Sequence, residues 1–161
     1  MTGRRIRLGT VCGALAVSAG LVAGCGGGPA GSQVPYWLEG VTVDAVARHL
    51  RVEIPATATE AKAAQQRGHD DMLLLSFVLP TAEVDGFVDG LEPEHPVRPG
   101  TPFAGERRLF DRLGLPEPVS APGVRETQVC APCVQRDLDF LQLAVTGVDG
   151  KSSRVYFRAV D

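Results

Sequence analysis

The stretch Met72-Leu73-Leu74-Leu75-Ser76-Phe77-Val78-Leu79 decides the fold. Seven of its eight residues are apolar, so both faces of an extended chain would be hydrophobic here. A strand that is buried on both faces lies at the centre of a sheet, with a strand on each side and further layers above and below. Turn residues precede the stretch at residues 68–70, and Pro80 ends it. We therefore predict a central strand.

Two regions can supply neighbours for this strand. Residues 60–67 have helical propensity, but a helix there would offer only alanines to the core, so we favour a strand. The clearest hairpin lies at the end of the sequence, with its turn at residues 148–151. Its inward positions are Leu141, Leu143 and Val145, then Val155, Phe157 and Ala159. Shorter strand signals occur at residues 52–54 and 124–129.

The apolar periodicity also predicts two amphipathic helices. The first begins after Thr42, a favourable N-cap. The second follows Pro80, with Thr81 as its N-cap. Their inward faces are Val43, Val46, Ala47 and Leu50 in the first helix and Val84, Phe87, Val88 and Leu91 in the second. Gly86 and Gly90 weaken the second helix, so packing must hold it.

Residues 92–122 hold seven of the twelve prolines and predict a long loop. Part of it is expected to form a short helix that starts at Thr101 and ends at Gly114. The residues of that helix expected to face inward are Phe103, Phe110 and Leu113. A loop of this length in a compact domain is often functional. Together, these elements predict an α+β fold: a mostly antiparallel sheet with two or three short helices on one face and a long Pro-rich loop.

The first residues have the pattern of an export signal. Three arginines precede an apolar segment, residues 8–22, which is short for a membrane span and contains glycines. The stretch Leu21-Val22-Ala23-Gly24-Cys25 then brings small residues up to a cysteine. It resembles the lipobox of bacterial lipoproteins, with Val22 at the position usually held by Leu. The resemblance implies cleavage before Cys25 and a diacylglyceryl group on its thiol.

We therefore divide the chain into a lipoprotein signal peptide (1–24), a Gly-rich flexible tether (25–34) and a single globular α+β domain (35–161). An ordinary secretory signal cut elsewhere and a twin-arginine signal are the alternatives. Arg7 stands where a twin-arginine signal wants an apolar residue, so general secretion is favoured. The expected location is the extracytoplasmic face of the cell membrane, where the lipid anchor provides the membrane contact.

Composition fits export and excludes several functions. Removing residues 1–24 leaves 13 basic and 19 acidic side chains, a formal charge of −6, which argues against nucleic-acid binding. The sequence has 14 Arg, 2 Lys and no Asn, a bias typical of a high-GC genome. Without Asn, neither an Asn-dependent catalytic triad nor an N-glycosylation acceptor exists. Hydrolase signatures, a phosphate loop and a calcium loop are also absent.

One cysteine pair is the main candidate for chemistry. Cys130-Ala131-Pro132-Cys133 is similar to the C-x-P-C of thioredoxin-like oxidoreductases, in which the first thiolate attacks a disulfide and the second resolves it. That fold needs a long helix after the motif and a cis-Pro downstream. Only 28 residues follow here, their pattern is a hairpin and none is Pro. We therefore expect Cys130 and Cys133 to form a structural disulfide in an oxidising compartment.

Metal binding is a less favoured alternative for this pair. The other candidate ligands, His69, Asp70 and His95, are scattered, whereas a recognisable zinc site has two pairs of ligands. We therefore predict no metal and no cofactor.

Three acidic residues, Asp85, Asp89 and Glu92, stack along the outer face of the second predicted helix. Such a stripe could contact a cationic partner or an ion. We favour a solvated face, with ion pairs to arginines of the same chain. The expected arginine partners are Arg107, Arg108 and Arg112.

The chain as a whole looks like the small lipoproteins of high-GC Gram-positive bacteria. Because no pattern assigns a reaction, we favour a binding or interaction module, whose ligand is a protein or a small molecule, over an enzyme. The alternative is an envelope thiol-disulfide oxidoreductase that uses Cys130 and Cys133. A pocket lined by the Pro-rich loop would favour binding, whereas an exposed Cys130 at a helix N-terminus would favour redox chemistry.

Overall fold

The computed structural model describes residues 34–103, 108–130 and 138–161. Their strands form one seven-stranded sheet in the order β1-β2-β3-β7-β6-β5-β4, and all neighbours are antiparallel. The strands are β1 Tyr36–Trp37, β2 Thr59–Arg67, β3 Met72–Pro80, β4 Arg98–Pro99, β5 Arg125–Val129, β6 Phe140–Gly147 and β7 Ser152–Val160. The helices α1 Val43–His49 and α2 Thr81–Asp89 complete an α+β fold, as predicted.

The predicted central strand is β3, which pairs with β2 on one side and with β7 on the other. Seven of its nine residues are buried. Leu75 and Phe77 belong to a core shared with α1 and α2, whereas Leu74 belongs to a second core on the opposite face of the sheet. Burial on both faces explains the continuous apolar run of this strand.

Residues 60–67 lie within β2, so the preference for a strand is confirmed. The alanines of this stretch serve both faces of the sheet. Ala63 packs against the first core, and Ala64 is buried in the second. The C-terminal hairpin is also confirmed, and all six of its predicted inward residues are buried.

The two helices begin as predicted, but only one has the predicted cap. Thr42 Oγ1 accepts a hydrogen bond from the Ala45 N–H at 3.2 Å, which confirms Thr42 as the N-cap of α1. Thr81 is not a side-chain cap for α2. Its hydroxyl lies 3.0 Å from the Ser153 hydroxyl, and its N–H donates to the Lys151 carbonyl. Thr81 therefore fastens the start of α2 to β7.

The middle of the Pro-rich segment, around Phe103 and Phe110, covers the face of the sheet opposite α1 and α2. The segment contains two 3-10 helices, Phe110–Leu113 and Pro118–Ser120. The first ends at Gly114 in the left-handed region, as predicted, but it begins at Phe110 and not at Thr101. The Phe110 ring packs against Tyr156 of β7 and Phe103, with ring centroids 4.9 and 5.5 Å apart. The sequence predicted all helices on one face of the sheet. That prediction is wrong for the 3-10 helix Phe110–Leu113, which packs on the face opposite α1 and α2. Both faces of β3 and β7 are apolar, so both require a covering layer.

The predicted short strand at residues 52–54 is wrong. These residues have neither a turn nor a bend, and they lie outside the sheet. Val52 is buried, and its N–H donates to the Ala47 carbonyl at 2.9 Å, which closes the end of α1. β1 pairs only with Gln66 and Arg67, at the end of β2. No strand of the described sheet pairs with the 52–54 segment, so its strand-like residues have no partner strand.

Candidate functional site

An open groove lies between α2 and the residues that follow α1. One wall is formed by residues 50–56 and the other by Gly86, Phe87, Gly90 and Leu91. The groove has an outer part of about 590 Å³ and an inner part of about 210 Å³. Both parts share Arg51, Gly90 and Leu91 in their lining, so they are continuous. The outer part falls within the range of small-molecule sites, roughly 300–1,000 Å³.

Apolar side chains form part of the groove lining. Val129 and Leu141 line its inner part and are almost fully buried. Phe87 and Leu91 line the outer part and are half-buried. The Phe87 ring packs edge-on against Phe77 of the core, with 5.5 Å between centroids, which holds it in place. An apolar ligand group would therefore meet a firm surface and gain roughly 25 cal/mol for each Å² removed from water.

Gly86 is a helix residue that packing does not require to be glycine. A Cβ added there would have no atom within 4 Å, so it would project into open space. Glycine inside a helix costs about 1 kcal/mol relative to alanine. Gly90, one turn later, is the C-cap of α2. Together, the two glycines leave a strip of the α2 backbone open to the groove.

Each helix that borders the groove is followed by a non-glycine residue in the left-handed region. Arg51, after α1, and Glu92, after α2, both have φ of 53°. Glycine usually occupies such positions after a helix, and another residue costs on the order of 1 kcal/mol. Both side chains line the inner part of the groove. Backbone strain of this kind often marks functional sites.

The rim of the groove is net acidic. Its charged side chains are Arg51, Glu53 and Glu92, and all three are exposed. Across the described ranges, none of the three takes part in an ion pair. Two carboxylates against one guanidinium favour a ligand with positive charge beside its apolar part.

The structure places one of the predicted cysteines near this groove. Cys130 directly follows β5 and is half-buried, and the preceding residue, Val129, lines the inner groove. Cys25 and Cys133 lie outside the described residues, as do residues 1–24 and nearly all of the tether. Lipid attachment at Cys25 and a bond between Cys130 and Cys133 therefore stay predictions.

The acidic stripe has a different partner from those predicted. Asp85 Oδ1 lies 3.0 Å from a guanidinium nitrogen of Arg125, on β5. Arg108 pairs instead with Asp111, and Arg112 pairs with Glu39. The expected pairing with these two arginines is therefore wrong, and Arg107 lies outside the described residues.

The Pro-rich loop contributes little to the groove. Among the loop residues that the structure describes, only Glu92, the first, lines the groove. Pro96 and Val97 line a separate depression of about 240 Å³, together with Asp85, Asp89 and Arg125. The main contribution of the loop is Phe110 and its neighbours in the second core.

The residues considered as metal ligands do not come together. His69 is exposed in the turn before β3, whereas His95 lies beside β5, where its carbonyl accepts a hydrogen bond from the Thr127 hydroxyl at 2.6 Å. Within the part of the chain that the structure covers, no three His, Cys, Asp or Glu side chains converge on one point. Neither described helix is long and apolar enough to cross a bilayer.

Comparison with known proteins adds no family: no family model, no curated protein and no solved structure matches this chain.

Sequence reasoning missed the groove residues, although two signals for them exist. Gly86 and Gly90 stand one turn apart in a helix that they weaken, which indicates a need for an open backbone. The second signal is the strand-like pattern of residues 52–54, for which the sequence offers no adjacent strand as a partner. The left-handed backbone at Arg51 and Glu92 has no comparable signal, because neither residue type favours that conformation.

Proposed function

We propose that this protein is a lipid-anchored extracytoplasmic binding module, and that it takes its ligand in the groove between residues 50–56 and α2. The lipobox pattern at Cys25 supports the location. The apolar side chains in the groove lining, the open helix backbone and the unpaired charges on the rim support the binding role.

The main support for this proposal is that position 86, inside α2, is occupied by glycine. Alanine at this position would favour the helix by about 1 kcal/mol and would clash with none of the described residues. A glycine without a structural purpose, at the wall of a groove, is explained if a ligand lies against the helix backbone there. A side chain at position 86 should therefore stabilise the fold and weaken binding.

The test uses the full-length chain with Cys25→Ser, titrated with the neutral apolar fluorophore N-phenyl-1-naphthylamine. We expect saturable fluorescence enhancement that Gly86→Leu reduces at least tenfold in affinity. Gly86→Ala should weaken binding less while raising the free energy of unfolding. Ala82→Leu is the matched control, because Ala82 is exposed on the same helix and does not line the groove. Equal affinity of wild type and Gly86→Leu would refute the groove as the site.

A further inference from the structure

The 52–54 segment has the properties of an edge strand without a partner. Val52 is buried, Glu53 is exposed and Ile54 is half-buried, which is the alternation of a strand with one face on the core. Val52 and Ile54 are β-branched, as is common in strands. The segment forms part of the groove wall, so the open edge of this strand lies at the proposed binding site.

The backbone groups of Glu53 are available to a ligand. In an extended chain, the N–H and C=O of successive residues point to opposite edges. The Val52 N–H donates to Ala47 of α1, so the Glu53 N–H and C=O point away from α1. Among the described residues, neither group of Glu53 has a hydrogen-bond partner. One residue that presents both groups on the same edge can form a two-bond pair with an incoming strand.

Charge and shape limit the class of ligand that the groove can bind. An extended peptide places alternate side chains on opposite faces, so apolar residues at every second position would contact the groove interior. The residues between them would lie at the rim, where Glu53 and Glu92 outnumber Arg51. Basic side chains at those positions complement the rim.

We propose that the groove binds an extended peptide segment with alternating apolar and basic residues, which adds to the 52–54 segment as an antiparallel strand through the backbone of Glu53. This inference rests on the proposed function, because it names the ligand class of the same groove. A free apolar small molecule would use the groove interior without the Glu53 backbone.

The experiment compares two substitutions at position 53 in the full-length Cys25→Ser chain. Glu53→Ala removes the carboxylate and keeps the N–H, whereas Glu53→Pro removes both. The probe is the fluorescein-labelled heptapeptide Lys-Val-Lys-Phe-Lys-Val-Lys, followed by anisotropy in 150 mM salt. The comparison peptide has Glu in place of each Lys.

We expect the basic peptide to bind at least tenfold more tightly than the acidic one. Glu53→Ala should weaken binding a few-fold, with a smaller salt dependence. Glu53→Pro should weaken it by about a further tenfold, the usual effect of one lost hydrogen bond.

A second arm remains decisive if Glu53→Pro folds poorly. Peptides methylated on one backbone nitrogen at a time lose one donor each, and one of them should bind wild type about tenfold more weakly than the parent peptide. Equal binding by all methylated peptides, or by Glu53→Ala and a folded Glu53→Pro, overturns strand addition. If the fluorophore binds and the peptide does not, the inference fails while the proposed function stands. If Gly86→Leu leaves both ligands unaffected, the proposed function fails as well.

Discussion

Phe110→Ala tests whether the Pro-rich segment is a core layer. Phe110 is fully buried, and its ring has two aromatic neighbours, Tyr156 at 4.9 Å and Phe103 at 5.5 Å. Removing a buried phenylalanine costs about 3–5 kcal/mol, and the lost ring pairs favour the middle or upper part of that range. A loss of about 4 kcal/mol is a large share of the roughly 5–15 kcal/mol that stabilises a domain. For about 130 residues, it lowers Tm by about 15 °C.

The assay is urea denaturation of the full-length Cys25→Ser chain, followed by far-UV circular dichroism and tryptophan fluorescence. Trp37 packs against the same core as Phe110, so its fluorescence reports on this face of the sheet. Val119→Ala is the control, because Val119 lies in the same segment and is 42 % exposed. It should cost less than about 0.5 kcal/mol. A loss below about 1 kcal/mol for Phe110→Ala would show that the segment is a detachable loop.

Three further predictions concern the anchor, the cysteine pair and one partly buried carboxyl group. Intact-mass analysis of membranes should find a chain that starts at Cys25 with added lipid mass, and unlipidated wild type in the medium would contradict this. The free energy of unfolding of the double variant Cys130→Ser, Cys133→Ser should fall by only about 1 kcal/mol, because the loop that the disulfide closes is short. Faster insulin reduction by wild type than by this variant would favour the oxidoreductase function. Burial raises the pKa of Glu117 above its ordinary value of 4.5, although hydrogen bonds from backbone N–H groups oppose the shift. The folded state therefore binds more protons, and stability should rise as pH falls through the raised pKa towards 4.5. Glu117→Gln should flatten this rise in urea midpoints measured between pH 4 and 7, and an unchanged slope would refute it.

The elements predicted well are those whose local pattern leaves one stable arrangement. The apolar run in β3 is too continuous for a half-exposed strand. In β6 and β7, an inward apolar residue recurs at every second position from Leu141 to Val145 and from Val155 to Ala159. The first helix has both a capping residue, Thr42, and a matching apolar face. In each case, propensity, periodicity and turn residues agree.

The elements predicted poorly depend on contacts far away in sequence. The hydroxyl of Thr81 is a good N-cap in isolation, but Ser153, 72 residues later, is the group that it contacts. β3 and β7 have two apolar faces, and α1 and α2 cover only one of them. Phe110 therefore packs on the other face. Periodicity identifies the inward residues of a segment but not the layer that they join.

The groove could not have been predicted as a site, but the failed strand prediction at residues 52–54 carries information. Natural sequences usually have local preferences that agree with the global fold. Here the residues favour a strand and their backbone has neither a turn nor a bend, but the expected partner strand is missing from the described sheet. The same argument applies to Gly86, where a favourable alanine is sterically allowed but not used. The 52–54 segment and Gly86 lie on facing walls of one groove. A bound peptide that pairs with the first wall and lies against the second would explain both departures from local preference.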